Sequence, residues 1–329
     1  MPKHMPNKVY NTSQESIAKH KRLNALHLKN SDSAKIVVAT IGAVNDDANT
    51  IKENRFERWP SSSEGSQKPN SPMLPHSLKY SHTELSTSIS FRGVAMSRMN
   101  TSMEMFDQAR KENRKYLLEP EAKIVCMGYG IPVTRFKVAH TQDEADRFAS
   151  QIGYPVALKI VSPDVLHKWD VGGVMLDLKS ATKVKDAYRK ILENVRRHKP
   201  DAKIVGVIVQ EMVTPSTEVI VGSTKDPQFG PALMFGLGGI FVEVLKDVTF
   251  RIAPITEVDA REMITEVKGY PILKGYRGQP PADIDAIVKI LINTSKLVMD
   301  HQEIKELDLN PVMVYENGAK TVDARIILE

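Results

Sequence analysis

The chain changes character near Met105, and that break decides which part of it can build a core. The first hundred of its 329 residues hold 14 Lys and Arg, 8 Asp and Glu, and 15 serines. The rest hold 31 Lys and Arg, 32 Asp and Glu, and 7 serines. The stretch Pro60-Ser61-Ser62-Ser63-Glu64-Gly65-Ser66-Gln67-Lys68-Pro69-Asn70-Ser71-Pro72 offers too little apolar surface to offset the entropy of ordering it. Residues 1–105 are therefore expected to be a largely disordered, Ser-rich, basic extension, with Lys35–Ile41 as one short strand. Met96, Met99, Met103 and Met105 would each serve as a later start, so the extension reads as a solvated tail or an upstream translation product.

The net charge of +5 belongs to that extension. The near-neutral remainder carries no field that would draw a polyanion, and the extension lacks the interleaved aromatics of a nucleic-acid surface. Neither nucleic acid nor membrane is an expected partner: no run approaches the ~18 apolar residues of a membrane span, and the N-terminus has no apolar signal core. One cysteine, Cys126, excludes an intrachain disulfide and a thiolate zinc cage. These features fit a cytoplasmic protein.

Beyond Met105, strands and helices interleave, as in a mixed α/β or α+β chain. Helices are expected over 106–118, from Glu119 to a stop at Gly128-Tyr129-Gly130, from a capping-box start at Thr141 to Gly153, over 182–198, 257–268 and 283–301. In the fourth of these, Val184, Ala187, Tyr188, Ile191 and Val195 share one face. Strands are expected over 133–138, 155–161, 174–178, 204–212, 218–224, 232–235, 304–309, 312–315 and 325–328.

Four groups of residues carry chemistry. Lys159 interrupts the apolar strand Tyr154–Ile160. A buried ammonium is costly unless an anion meets it, so Lys159 is either an edge residue reaching water or a phosphate ligand. The loop Ser162–Gly173 contains His167, Lys168 and the pair Gly172-Gly173. Adjacent glycines let backbone amides approach an anion, and a neutral imidazole can accept a phosphoryl group. Val209-Gln210-Glu211-Met212-Val213 ends a strand with groups suited to an adenine, and Glu218 opens the next strand. Finally, Glu306-Leu307-Asp308-Leu309-Asn310-Pro311 alternates its oxygen donors onto one face. A hairpin would bring Asp323 beside Asn310 and complete an all-oxygen set of the kind magnesium prefers. Phe235-Gly236-Leu237-Gly238-Gly239-Ile240 does not match a dinucleotide fingerprint.

Taken in order, a strand lysine, a glycine-containing loop, a strand-end hinge and a terminal Asp-x-Asn-Pro with a second Asp resemble the ATP-grasp fold. The stretches Gly153–Pro163, Leu166–Lys168, Asp170–Val174, Asp226–Gly239, Lys274–Gly278 and Asp308–Val312 resemble more closely the β subunits of ADP-forming acetate–CoA ligases, relatives of succinyl-CoA synthetase. The resemblance covers roughly residues 115–329. It implies an α/β (α+β) ATP-grasp fold in two lobes, 106–202 with the phosphohistidine loop and 203–329 with the magnesium and nucleotide site.

It also implies a reversible reaction in which acyl-CoA, ADP and phosphate give acid, CoA and ATP. A CoA-binding α subunit would be the partner, in an α2β2 heterotetramer. His167 would relay the phosphoryl group from a partner phosphohistidine to ADP. Val156, Lys159, Gly172, Gly173, Glu211, Met212 and Val213 would bind ATP or ADP; Asn310, Asp323 and Asp308 would hold Mg²⁺. Glu218 would either contact the ribose or steady the phosphohistidine. Trp169 stands where the family has a small residue, and Ile124-Val125-Cys126-Met127 replaces a leucine-rich stretch. The alternatives are a stand-alone ATP-grasp carboxylate ligase and a non-catalytic nucleotide-binding regulatory subunit.

Overall fold

A computed structural model describes residues 102–329; the expectations for residues 1–101 lie outside the described residues, whereas 102–105, expected within the disordered extension, form the start of the first helix. α1 spans 102–111, shorter than the expected 106–118, because the following segment turns away and sends Leu117 and Leu118 into the core. α2 is Glu119–Gly128, with Pro120 in the first turn and Glu121 accepting from the Leu118 amide. Its unusual Ile-Val-Cys-Met stretch still buries Val125 and Cys126 completely.

Two antiparallel sheets follow. The smaller has the order β1-β4-β2-β3, from Phe136–Ala139 (β1), Val156–Val161 (β2), Val174–Leu178 (β3) and Gly206–Glu211 (β4). α3 (Gln142–Ile152) and α4 (Ala181–His198) cover one face of it. Thr141 caps α3 by accepting from the Glu144 amide, whereas the Glu144 carboxylate reaches the His140 amide instead of closing the box on Thr141. The five α4 residues placed on one face by their spacing are all buried, packing on Val156, Leu158, Ile160, Val207 and Val209. Along β2, Ala157, Lys159 and Val161 therefore face the other way. There Val161 and Ile208 form a second apolar cluster with Leu118.

The larger sheet runs β10-β8-β5-β6-β7, with β9 on β8. Its strands are Thr217–Asp226 (β5), Gly230–Leu237 (β6), Val248–Ile252 (β7), Ile304–Val314 (β8), Ala319–Thr321 (β9) and Ala324–Leu328 (β10). The short α5 (Ile240–Glu243) and α7 (Tyr270–Leu273) connect elements, and α6 (Glu257–Glu266) and α8 (Ile284–Asp300) pack on the sheet. Every strand pairing in both sheets is antiparallel, so the chain is α+β rather than α/β in the parallel-sheet sense.

The division of the chain between the sheets differs from the expected break after 202. β4 pairs with β1 and β2 in the smaller sheet, so the passage falls between Glu211 and Thr217. Likewise Phe106, Ala109, Ala122, Val125 and Ile131 pack into the core of the larger sheet. Apolar matching puts α1 and α2 on the C-terminal lobe. Pro311 does not divide β8, although two strands were expected there; the Pro311 carbonyl accepts from the Val322 amide at 2.9 Å.

Candidate active site

Lys159 lies in β2, flanked by β3 and β4, so it is not on a sheet edge. It is buried at 7% exposure. Its Nζ donates to Glu119 Oε1 at 2.8 Å and to Asp323 Oδ2 at 3.1 Å. Burial works against the ammonium, but the Asp323 and Glu119 carboxylates outweigh it and hold Lys159 above the usual lysine value. The Lys159–Asp323 pair joins the sheets, since Asp323 precedes β10 and Lys159 belongs to the smaller one.

Glu119 was legible in the sequence only as an acid at a helix start, yet it is the centre of the cluster. Lys123 Nζ lies 3.0 Å from Glu119 Oε1, and Lys168 donates to Glu119 Oε2. Lys123 also donates to Gln210 Oε1 and, at 3.2 Å, to Thr134 Oγ1. Burial alone would raise the Glu119 pKa; Lys159, Lys168 and Lys123 instead hold it well below the usual carboxylate range. Burial lowers the Lys123 pKa. Three ammonium groups thus face two carboxylates, Glu119 and Asp323. Such an excess of donors is ready for another anion, and charge-assisted bonds to phosphate suit it.

The metal candidates meet as the hairpin argument expected. The Asn310 amide donates to the Asp323 carbonyl at 3.3 Å, and Asp308 stands opposite Arg325 on β10. Burial lifts the Asp308 carboxyl to about 7, against the pull of Arg325. Asp308 Oδ1 and Asn310 Nδ2 are both buried without a hydrogen-bond partner. An orphaned carboxylate oxygen is the acceptor that a hard cation satisfies, and turning over the amide, whose oxygen and nitrogen are interchangeable in shape, would offer Asn310 Oδ1 as well. The residues therefore fit magnesium. Among the described residues no three His, Cys, Asp or Glu side chains converge on a cage; this set is two aspartates and an asparagine.

His167 is exposed in the loop between β2 and β3. The two glycines there do a different job from the one expected. Their amides are spent within the loop, Gly172 on the Trp169 carbonyl at 2.9 Å and Gly173 on the Lys168 carbonyl at 2.7 Å. Their smallness is what the packing uses: a Cβ on Gly173 would come within 2.6 Å of Ile160 Cγ2 and 2.9 Å of the Lys168 carbonyl. Gly172 has φ +61°, a left-handed conformation that glycine adopts without strain. The loop's cation is Lys168.

At the end of β4, Glu211 accepts from the Arg135 amide, Arg135 Nε and Lys320 Nζ, each at 2.9 Å. Despite burial, these donors hold its pKa down. Lys320 comes from β9, so this is a second ionic link between sheets. The Met212 amide donates to the Pro155 carbonyl at 3.2 Å, and Met212 and Val213 are half-buried. Val156 is opposite Glu211 in the ladder, but its side chain is in the core under the helices, away from the Lys159 face. Glu218 lies on β5 beside the Gly238-Gly239 turn, its carbonyl accepting from the Gly238 amide at 2.8 Å.

Two sheets meet over a cationic cluster, with paired acids on the last hairpin, and the sequence matches the ATP-grasp domain over residues 108–328. The I subunit beta of acetate–CoA ligase [ADP-forming] of Pyrococcus furiosus is 52% identical over 233 residues, 71% of this chain and 100% of the relative. The II subunit beta of that organism is 55% identical over 231 residues, 69% of this chain and 98% of the relative. A structure of the dinucleotide-forming acetyl-coenzyme A synthetase 1 of Ca. Korarchaeum cryptofilum, with coenzyme A and Mg-AMPPCP, superposes with a TM-score of 0.62 at 49% identity. It is matched over 69% of this chain and 100% of its own, and its phosphohistidine segment points towards the nucleotide binding site. The chain belongs, within the ATP-grasp proteins, to the family of β subunits of ADP-forming acetate–CoA ligases.

Proposed function

We propose that this chain is the phosphoryl-transferring subunit of an ADP-forming acyl-CoA ligase. It works with a CoA-binding partner subunit in a cytoplasmic α2β2 assembly. Acyl-CoA, phosphate and ADP become acid, CoA and ATP. The observation that carries the reading is the Lys159–Asp323 pair across the two sheets, with the His167 loop tied to the same carboxylate cluster through Lys168.

In this mechanism the partner holds the acyl-CoA chemistry and delivers a phosphoryl group to His167. An imidazole ring nitrogen attacks phosphorus, the new P–N bond forms and the donor's P–N bond breaks. At the nucleotide site a terminal oxygen of ADP attacks the same phosphorus, and the His167 P–N electron pair returns to the ring. A carrier is needed because transfer requires near in-line contact at about 3–3.5 Å. Lys159 holds the nucleotide phosphates. Glu211, Met212 and Val213 face the adenine, and Glu218 serves either the ribose or the phosphohistidine. Asp308, Asn310 and Asp323 would hold magnesium, which supplies charge neutralisation to the phosphates.

The test is to express the chain with its partner subunit and supply acetyl-CoA, ADP, phosphate and Mg²⁺. ATP should form. No ATP from any short acyl-CoA, with a partner present that binds CoA, would reject the reading.

A further inference from the structure

Lys168 and His167 are neighbours in one loop, with Cα atoms about 3.8 Å apart, so whatever fixes one confines the other. The loop's flanks are anchored: Tyr116 Oη donates to the Pro163 carbonyl, the Lys203 amide donates to Asp164 Oδ2 at 2.7 Å, and Val165 and Val171 sit in the core of the smaller sheet. Between these anchors, the Lys168 ammonium reaches across to Glu119, whose side chain is 3% exposed. Glu119 uses its other oxygen, Oε1, for Lys159. One buried carboxylate thus grips the strand lysine with one oxygen and the histidine loop with the other. An ion pair at a solvated surface would weigh little, but this one is enclosed on the Glu119 side and sits against a second carboxylate, Asp323 Oδ2, at 4.0 Å from Lys168 Nζ.

We infer that Glu119 and Lys168 are positioning residues: their ion pair docks the His167 loop at the nucleotide site. The proposal deepens the phosphoryl-transfer reading and rests on it for its kinetic consequence. Docking itself is a property of the chain alone. Neither residue is assigned a bond to the transferring phosphorus; each acts through the place it gives His167. The incoming nucleotide competes for Lys159, which shares Glu119 Oε1 with Lys123, so the same carboxylate links nucleotide occupancy to the hold on the loop.

The experiment uses the full chain, its Lys168→Met and Lys168→Arg variants, and Glu119→Gln as a second way of breaking the pair. Amide hydrogen exchange over residues 162–173 is measured without nucleotide. In parallel, ATP and Mg²⁺ are added and phosphohistidine formation on His167 is timed: the ring nitrogen attacks the terminal phosphorus of ATP, a P–N bond forms, and ADP leaves with the electrons of the broken P–O bond. Lys168→Met should speed exchange in the loop about tenfold, the loss of one charge-assisted bond. It should slow His167 phosphorylation at saturating ATP about tenfold or more, beyond any accompanying loss of ADP affinity. Lys168→Arg should restore both. Glu119→Gln, if folded, should loosen the loop as Lys168→Met does.

Unchanged exchange and unchanged rate in Lys168→Met would overturn the proposal. So would a rate that falls only in step with lost ADP affinity, which would make Lys168 a plain nucleotide ligand. If the wild-type chain is never labelled on His167, the phosphoryl-transfer reading is what fails, and the exchange measurement still decides whether the loop is docked.

Discussion

Glu119 is the residue at which the smallest chemical change should have the largest effect. Replacing its carboxylate by the isosteric amide leaves Lys123, Lys159 and Lys168 with Asp323 as their remaining anion. Removing one partner of a buried ionic group costs about 3–5 kcal/mol, and Glu119→Gln should lose that much at pH 7 in urea unfolding. The pH dependence has a defined sign. The folded-state pKa of Glu119 lies well below its ordinary value of 4.5, so the unfolded chain binds the proton more readily. The stabilisation is fully present above about 4.5 and drains away as pH falls below it. Glu119→Gln should flatten the stability curve in that acid window, and a variant curve as steep as wild type would contradict this.

At Lys159 the expected effect is on binding. In its proposed role Lys159 makes a charge-assisted phosphate bond, so with Lys159→Met the Kd for ADP with Mg²⁺ should rise about tenfold or more by calorimetry. Lys159 was legible because a charged residue in an apolar strand demands a partner. Glu119 was not, because acids are common in the first turn of helices, where the dipole favours them, and nothing local marks the one that is buried by distant lysines.

At the scale of elements, helix periodicity proved readable: the α4 face was named residue by residue, and all five residues are buried. Strand boundaries were harder. β7, Val248–Ile252, alternates apolar and polar residues but was not among the expected strands, and β9 is three residues long. The loop glycines show why spacing alone misassigns a role. A Gly pair beside a His and a Lys fits an anion cradle, but here the amides are engaged and the space is occupied. Gly173→Ala should therefore act as overpacking, costing about 1–3 kcal/mol, and should slow ATP formation by displacing the Lys168 carbonyl against which Gly173 closes. A Gly173→Ala protein with wild-type Tm and rate would show that the loop does not depend on this closure.

Across the whole molecule, the cluster belongs to neither sheet alone. Lys159–Asp323 and Glu211–Lys320 both cross between them, which is why a sequence reading could find Lys159, Asp323 and Glu211 but neither Lys320 nor the pairing. The two sheets are further joined by Leu118, which precedes α2 and packs on Val161 and Ile208 of the smaller sheet. The family match begins at residue 108, and a relative is covered along its full length by 71% of this chain. Residues 102–329 with the partner subunit should therefore keep ATP-forming activity within a few-fold of the full chain; loss of activity on removing residues 1–101 would give the extension a catalytic part.

The proposed function stands on His167 carrying the phosphoryl group. The most direct measurement is to incubate the assembled complex with ATP labelled on its terminal phosphate and Mg²⁺, map the acid-labile label to a peptide, and then chase with unlabelled ADP. Label should appear on the His167 peptide and return to ATP on the chase, and His167→Ala should show neither label on this chain nor ATP synthesis. A complex that synthesises ATP at the wild-type rate with His167→Ala would contradict that role.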